Sequence, residues 1–159
     1  MTPIVAALPE NTPPRFLLLN RVDHCDATQA TAHRAFISAP AWQGLEAMAQ
    51  LAALHARWSC GFARHAFLLT VDECTWPSAG ALHGALCIRA DLLAESDRAA
   101  TYATSITPAP HGFCGDTATM GTCMTATLTI GRTNYDTRFN GDVLAARYQE
   151  TFAWLTRTA

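Results

Sequence analysis

The chain has 159 residues, enough for one domain with a substantial hydrophobic core that needs no disulfide for stability. Half of the residues are hydrophobic and 15% are charged, an apolar balance that favours burial of some surface in an oligomer. The net charge of −2, without any basic run, excludes the usual kind of nucleic-acid-binding surface.

The first half of the chain predicts two extended segments followed by one long helix. The segment Phe16 to His24 is rich in leucine and valine and predicts a first strand, or a short helix leading into one. The run QATAHRAFI (29–37) predicts the next strand. Ser38 as a cap residue and Pro40 in the first turn then predict the start of a helix that runs to about Cys60 and is apolar on every side.

Beyond Gly61 the sequence predicts mainly sheet. Turn-forming compositions separate four segments with strand propensity: Ala66–Trp76, Leu82–Leu93, Ala99–Thr107 and Ala118–Arg132. The tail has apolar residues at helical spacing. We therefore predict an α+β fold in which an antiparallel sheet wraps a central helix. It forms one domain over 1–159, with a core at about 12–132 and a helical extension at about 141–158.

Neither secretion nor membrane insertion is indicated. The opening residues MTPIVAALPE lack the positive and apolar regions of a signal peptide, so we expect a cytoplasmic protein. The segment Ala35 to Ala56 is long enough to cross a bilayer, but its polar residues and mid-span carboxylate favour a buried helix instead. The six cysteines include no C-x-x-C pair and are expected to remain thiols in that compartment.

Glu46 is the first candidate for chemistry. It is the one charged residue in the helix-forming run LEAMAQLAAL (45–54), and Gln50 follows one turn later. An ionised carboxylate taken out of water without a partner costs several kcal/mol, so its presence in an apolar helix points to a use. A half-exposed glutamate at the rim of an amphipathic helix is the other interpretation.

The chain resembles the hotdog-fold dehydratases that act on 3-hydroxyacyl groups carried by acyl carrier protein. The resemblance is carried, in order and spacing, by FLLLNRV (16–22), LEAMAQ (45–50) and FLLTVDECTWPSAGALHGALCI (67–88). It is closest to the dehydratase-like proteins of aryl polyene biosynthesis, which also have a short loop and then a helix with Glu followed by Met-Ala-Gln. It covers roughly 12–131 and implies a hotdog fold, an acyl carrier protein or acyl-CoA thioester as substrate, and no cofactor.

In that family a loop histidine and the helix glutamate share the proton transfers of dehydration. Glu46 matches the helix position, and we expect Gln50 to fix its carboxyl group by a hydrogen bond. The family's loop string Gly-His-Phe-Pro-Gly is missing, and AFISAPAWQG stands there instead. His33, on the preceding strand and one position off the gapless alignment, is the candidate for the missing base, or else a hydrogen-bonded strand histidine.

Other site residues are predicted around the start of the helix. Substrate-binding positions are Gln50, Trp42, Gln43 and Gly44, and free backbone N–H groups of the first turn would polarise the thioester carbonyl. Arg57 and Arg64, near the helix end, would meet an acidic carrier protein or a phosphopantetheine phosphate, or only solvent. No histidine pair has the spacing of metal ligands, so no metal is predicted.

Two other functions remain open at this point. A thioester hydrolase uses a helix carboxylate to activate water or to attack the carbonyl, which suits a glutamate without a histidine. A non-catalytic subunit that binds an acyl chain or completes a heterodimer is favoured by the missing loop histidine. In each case we expect a homodimer or higher oligomer in which two sheets join edge to edge, without nucleic acid or membrane as partner.

Overall fold

The computed structural model describes residues 16–109 and 122–158. These residues form six strands and two helices: β1 (Arg21–Cys25), β2 (Gln29–Pro40), α1 (Ala41–Trp58), β3 (His65–Thr75), β4 (Ala81–Glu95), β5 (Ala99–Pro108), β6 (Met124–Thr133) and α2 (Gly141–Thr156). The order of elements is the predicted one. The expected start of the last strand, 118–121, lies outside the described residues.

The strands form one antiparallel sheet in the order β1-β2-β4-β5-β6-β3. Strand β5 shows why the sheet has a core face, because Ala100, Tyr102, Thr104 and Ile106 are buried while the residues between them are half-buried. Helix α1 contacts all strands from β2 to β6. The sheet thus wraps the central helix, and this part of the prediction is confirmed.

Helix α1 is held by its apolar surface rather than by a cap. Met48, Leu51 and Ala52 are fully buried against the sheet. The predicted cap at Ser38 is wrong: Ser38 belongs to β2, and its backbone N–H donates to His83 Nδ1 at 3.1 Å. The helix begins at Ala41 instead, and no side chain caps its first turn.

Gly44 sets how closely α1 approaches the sheet. A Cβ atom on it would lie 2.5 Å from Leu82 Cδ1 and 3.0 Å from Ile106 Cδ1, so a larger residue cannot enter without displacing them.

The second helix, α2, begins at an Asn140 cap whose side chain accepts from the N–H of Asp142. It packs against α1, β1 and β3.

Two further expectations concern the cysteines and the membrane. The thiols of Cys25, Cys60, Cys74 and Cys123 are free. Cys87 is disulfide-bonded, so the expectation of six thiols is wrong at this position, and Cys114 lies outside the described residues. Within the described part, neither helix has the length and apolarity needed to cross a lipid bilayer.

Candidate functional site

A cavity of about 260 Å³ lies between α1, α2, β3 and the segment before β1; we call it the α1–α2 groove. Most of its wall is apolar: Leu17, Leu19, Ala49, Ala53, Leu54, Phe67, Leu68 and Leu155. The polar residues that line it are Glu46, Gln50, Arg57, Arg147, Tyr148 and Thr151. An apolar cleft with a few polar groups is the usual form of a small-molecule site.

One face of α1 forms the floor of this groove. Glu46, Gln50, Leu54 and Arg57 recur at helical spacing and all line it. With a rise of about 1.5 Å per residue, Glu46 and Arg57 are separated by roughly 16 Å along the helix axis. The groove therefore has a carboxylate towards one end and a guanidinium group towards the other.

Gln50 holds the carboxylate of Glu46. Its Nε2 donates to Glu46 Oε1 at 3.1 Å and to the carbonyl of Phe16 at 2.9 Å, while its Oε1 accepts from the N–H of Leu18 at 2.8 Å. The predicted hydrogen bond between these side chains is thus present. Among the described residues nothing donates to Glu46 Oε2, which leaves that oxygen for a ligand.

His33 is not positioned to share a proton with Glu46 of the same chain. Its neighbour Ala32 is fully buried on the core face, so the side chain of His33 lies on the opposite face of the sheet. There its Nδ1 is 3.1 Å from a carboxylate oxygen of Asp23, whose other oxygen is 3.6 Å from Arg21 Nε.

The three residues predicted at the helix start do not line the groove. Trp42 is half exposed and stacks on Phe16, with ring centroids 6.4 Å apart. Gln43 is half-buried, and Gly44 faces the sheet. Because no side chain caps the first turn of α1, its backbone N–H groups remain the predicted donors to a thioester carbonyl.

A buried histidine was not predicted as a structural feature. His55 is 1% exposed, and its Nε2 is 2.8 Å from the carbonyl oxygen of Asp26, which can only accept. The Nδ1 of the neutral ring therefore accepts from the hydroxyl of Tyr102, at 2.8 Å. Burial lowers the pKa of His55 and raises that of Tyr102. Neither side chain lines the groove, so the pair is structural.

The far end of the groove is cationic. Arg57 donates from Nη2 to the carbonyl of Ala66 at 2.6 Å, and its guanidinium carbon lies 3.9 Å from the ring centroid of Tyr148. Burial lowers the pKa of Arg57. Arg147 reaches the same groove from α2 and is exposed. The described residues include no cluster of His, Cys, Asp and Glu that could hold a metal ion.

Comparison with known proteins identifies the fold. No protein-family model matches the chain, and no curated protein matches it in sequence. Several solved structures, however, are similar to this chain in three dimensions. A chain of the dehydratase heterocomplex ApeI:P from Xenorhabdus doucetiae is 16% identical, with a TM-score of 0.57, covering 74% of this chain and 84% of that one. A thioesterase from Haemophilus influenzae is 9% identical, with a TM-score of 0.56 and coverages of 71% and 77%.

A variant of a thioesterase from Pseudomonas aeruginosa is similar to the same degree. It is 14% identical, with a TM-score of 0.56, and the match covers 72% of this chain and 81% of that one. Together with the six-stranded antiparallel sheet around α1, these matches show that the chain has the α+β hotdog fold. The predicted fold class is thereby confirmed.

Proposed function

We propose that this chain processes acyl thioesters and that its reaction is the dehydration of 3-hydroxyacyl groups carried on acyl carrier protein, as in the dehydratases of fatty acid or aryl polyene biosynthesis. One observation carries the proposal: the Glu46 carboxylate, oriented by Gln50, lines an apolar groove beside the central helix. Such a groove suits an acyl chain, and a carboxylate beside it suits proton transfer. The similarity to a dehydratase heterocomplex supports the same reaction class.

The reaction breaks the C2–H and C3–O bonds, forms the C2=C3 double bond and releases water. Glu46 takes the C2 proton as a carboxylate and, as the resulting acid, gives a proton to the departing hydroxyl group. Both transfers are assigned to Glu46 because no other titratable side chain of the described residues hydrogen-bonds to it. The uncapped N–H groups of the first turn of α1 lie outside the lining of the groove, so they would stabilise negative charge on the thioester oxygen only where that oxygen extends past Glu46 to the helix start.

A thioester hydrolase is the second candidate. It is favoured by one observation: within the described ranges no histidine lines the groove beside Glu46. In that reaction Glu46 would take a proton from water, the hydroxide would attack the thioester carbonyl, and the C–S bond would break to give an acid and a thiol. Two of the similar structures are thioesterases, which supports this chemistry on the same fold.

We also propose that the chain forms a homodimer through β3. This strand is one of the two sheet edges and has eleven residues, against five in the other edge strand, β1. It leaves apolar side chains exposed: Phe67 (39%), Leu68 (41%), Leu69 (56%) and Val71 (39%). The unpaired backbone groups of an apolar edge strand can form hydrogen bonds with a strand of a second chain. A stable interface of this kind would bury more than about 1,000 Å².

A product assay tests the proposed reaction. The chain is incubated with 3-hydroxyacyl and with saturated acyl thioesters of acyl carrier protein, and mass spectrometry follows enoyl product and free thiol. Enoyl product from the 3-hydroxyacyl substrate supports the dehydratase. Free thiol from both substrates supports the hydrolase and contradicts the dehydratase. Binding of both without turnover contradicts both enzymes and supports the acyl-binding subunit.

A further inference from the structure

The cationic end of the α1–α2 groove has no role in the proton transfers at Glu46. Arg57 and Arg147 both line the groove, one from α1 and one from α2. Among the described residues no carboxylate lies within ion-pair distance of either. Partly buried charges in proteins are normally paired, so the half-buried Arg57 without a counter-ion, in a cavity that the exposed Arg147 also lines, points to an anionic ligand.

Arg57 is held in a fixed orientation. Its Nη2 donates to the carbonyl of Ala66. The stack on Tyr148 fixes the plane of the guanidinium group, and the neighbouring Arg147 lies on the exposed side of α2. A guanidinium group fixed in one plane at the wall of a cavity that a second arginine also lines is a suitable receptor for phosphate or carboxylate oxygens.

We propose that the Arg57–Arg147 end of the groove binds an anionic group of the thioester ligand, about 16 Å along the helix axis from Glu46. This inference rests on the proposed function, which puts the thioester at Glu46. The bound group would be a phosphate or a carboxylate, and in both cases it is a negatively charged oxygen at a fixed distance from the reacting carbons.

Two parts of a thioester ligand have the right length. From the thioester sulfur to the phosphorus of phosphopantetheine there are about thirteen bonds, and at roughly 1.2 Å of extension per bond they span roughly 16 Å. An extended acyl chain of roughly twelve carbons that ends in a carboxylate spans a similar distance. In the first case the phosphopantetheine arm would occupy the groove, and in the second case the acyl chain would occupy it.

Calorimetric titration with three nonhydrolysable probes tests the inference. Each carries an amide nitrogen in place of the thioester sulfur: neutral dodecanoyl aminopantetheine, its 4′-phosphate, and the neutral compound with a carboxylate added to the end of the acyl chain. We expect one anionic probe to bind at least about tenfold more tightly than the neutral one. A preference for the phosphate identifies the pantetheine arm as the occupant, and a preference for the added carboxylate identifies the acyl chain.

Arg147→Ala should reduce that preference to less than about threefold and leave the affinity for the neutral probe unchanged, because the screened charge of an exposed arginine acts only on the anion. Arg138→Ala is the matched control: its side chain is 82% exposed, pairs with Asp136 and lies outside the groove. Equal binding of all three probes, or a preference that survives Arg147→Ala, overturns the inference and leaves the proposed function intact. Absence of binding by every probe overturns both.

Discussion

Replacing Gln50 by alanine should weaken both the fold and the site. The change removes three hydrogen bonds and leaves the N–H of Leu18, a residue only 7% exposed, without its acceptor. Bonds to partly exposed partners contribute about 1 kcal/mol each and a buried unpaired N–H costs about 1–3 kcal/mol, so we expect a loss of about 2–4 kcal/mol in the free energy of unfolding. For a chain of this size that lowers Tm by roughly 4 °C or more.

The same variant tests whether Gln50 positions Glu46. With its carboxylate no longer held, kcat should fall by about 10²-fold while KM changes little, because misplacement affects the reaction more than binding. Gln149→Ala is the control, an exposed amide of α2 that lies outside the groove. Thermal melts by circular dichroism and steady-state kinetics provide the two readouts. A Gln50→Ala protein that melts with the wild type, or whose kcat equals that of Gln149→Ala, would refute the reasoning.

Three further outcomes are expected. Leu69→Lys, at the β3 edge, should convert a dimer to a monomer in sedimentation, whereas Leu93→Lys, 60% exposed on an inner strand, should not. Because folding lowers the pKa of His55, the unfolded state binds the proton more strongly, so urea denaturation should show stability that is constant above about pH 7 and falls as the pH drops towards 5. Gly44→Val should cost at least about 2 kcal/mol, since even its Cβ would lie 2.5 Å from Leu82 Cδ1; an unchanged melting temperature would contradict the packing described.

Strands and helices were predictable because they depend on local patterns. Strand propensity and turn compositions located β2 to β6, and the apolar run located α1. The start of α1 was not predictable in the same way. The N–H of Ser38 pairs with His83, a residue 45 positions away on β4, so a residue suited to capping was used in a strand. A cap is a local feature only when no distant partner competes for it.

The candidate site also contains one part that local sequence predicts and one part that depends on tertiary packing. Glu46 and Gln50 were predictable because both lie on one helix, one turn apart. The cationic end was only half predictable: Arg57 was recognised near the helix end, but Arg147 joins it from α2, which tertiary packing alone brings there. His33 stays a prediction: in this chain it lies on the face of β2 opposite to the core and away from Glu46, because a single step along a strand reverses the direction of the side chain.

Glu46→Gln tests the central claim most directly, since it keeps the shape of the side chain and removes its titratable proton. The rate of 3-hydroxyacyl thioester turnover is measured for this variant, for the wild type and for Glu150→Gln, an exposed glutamate of α2 outside the groove. We expect Glu46→Gln to lose about 10²- to 10⁴-fold in rate with its fold intact by circular dichroism, and Glu150→Gln to match the wild type. Full activity of a folded Glu46→Gln protein would contradict the assignment of the proton transfers to Glu46.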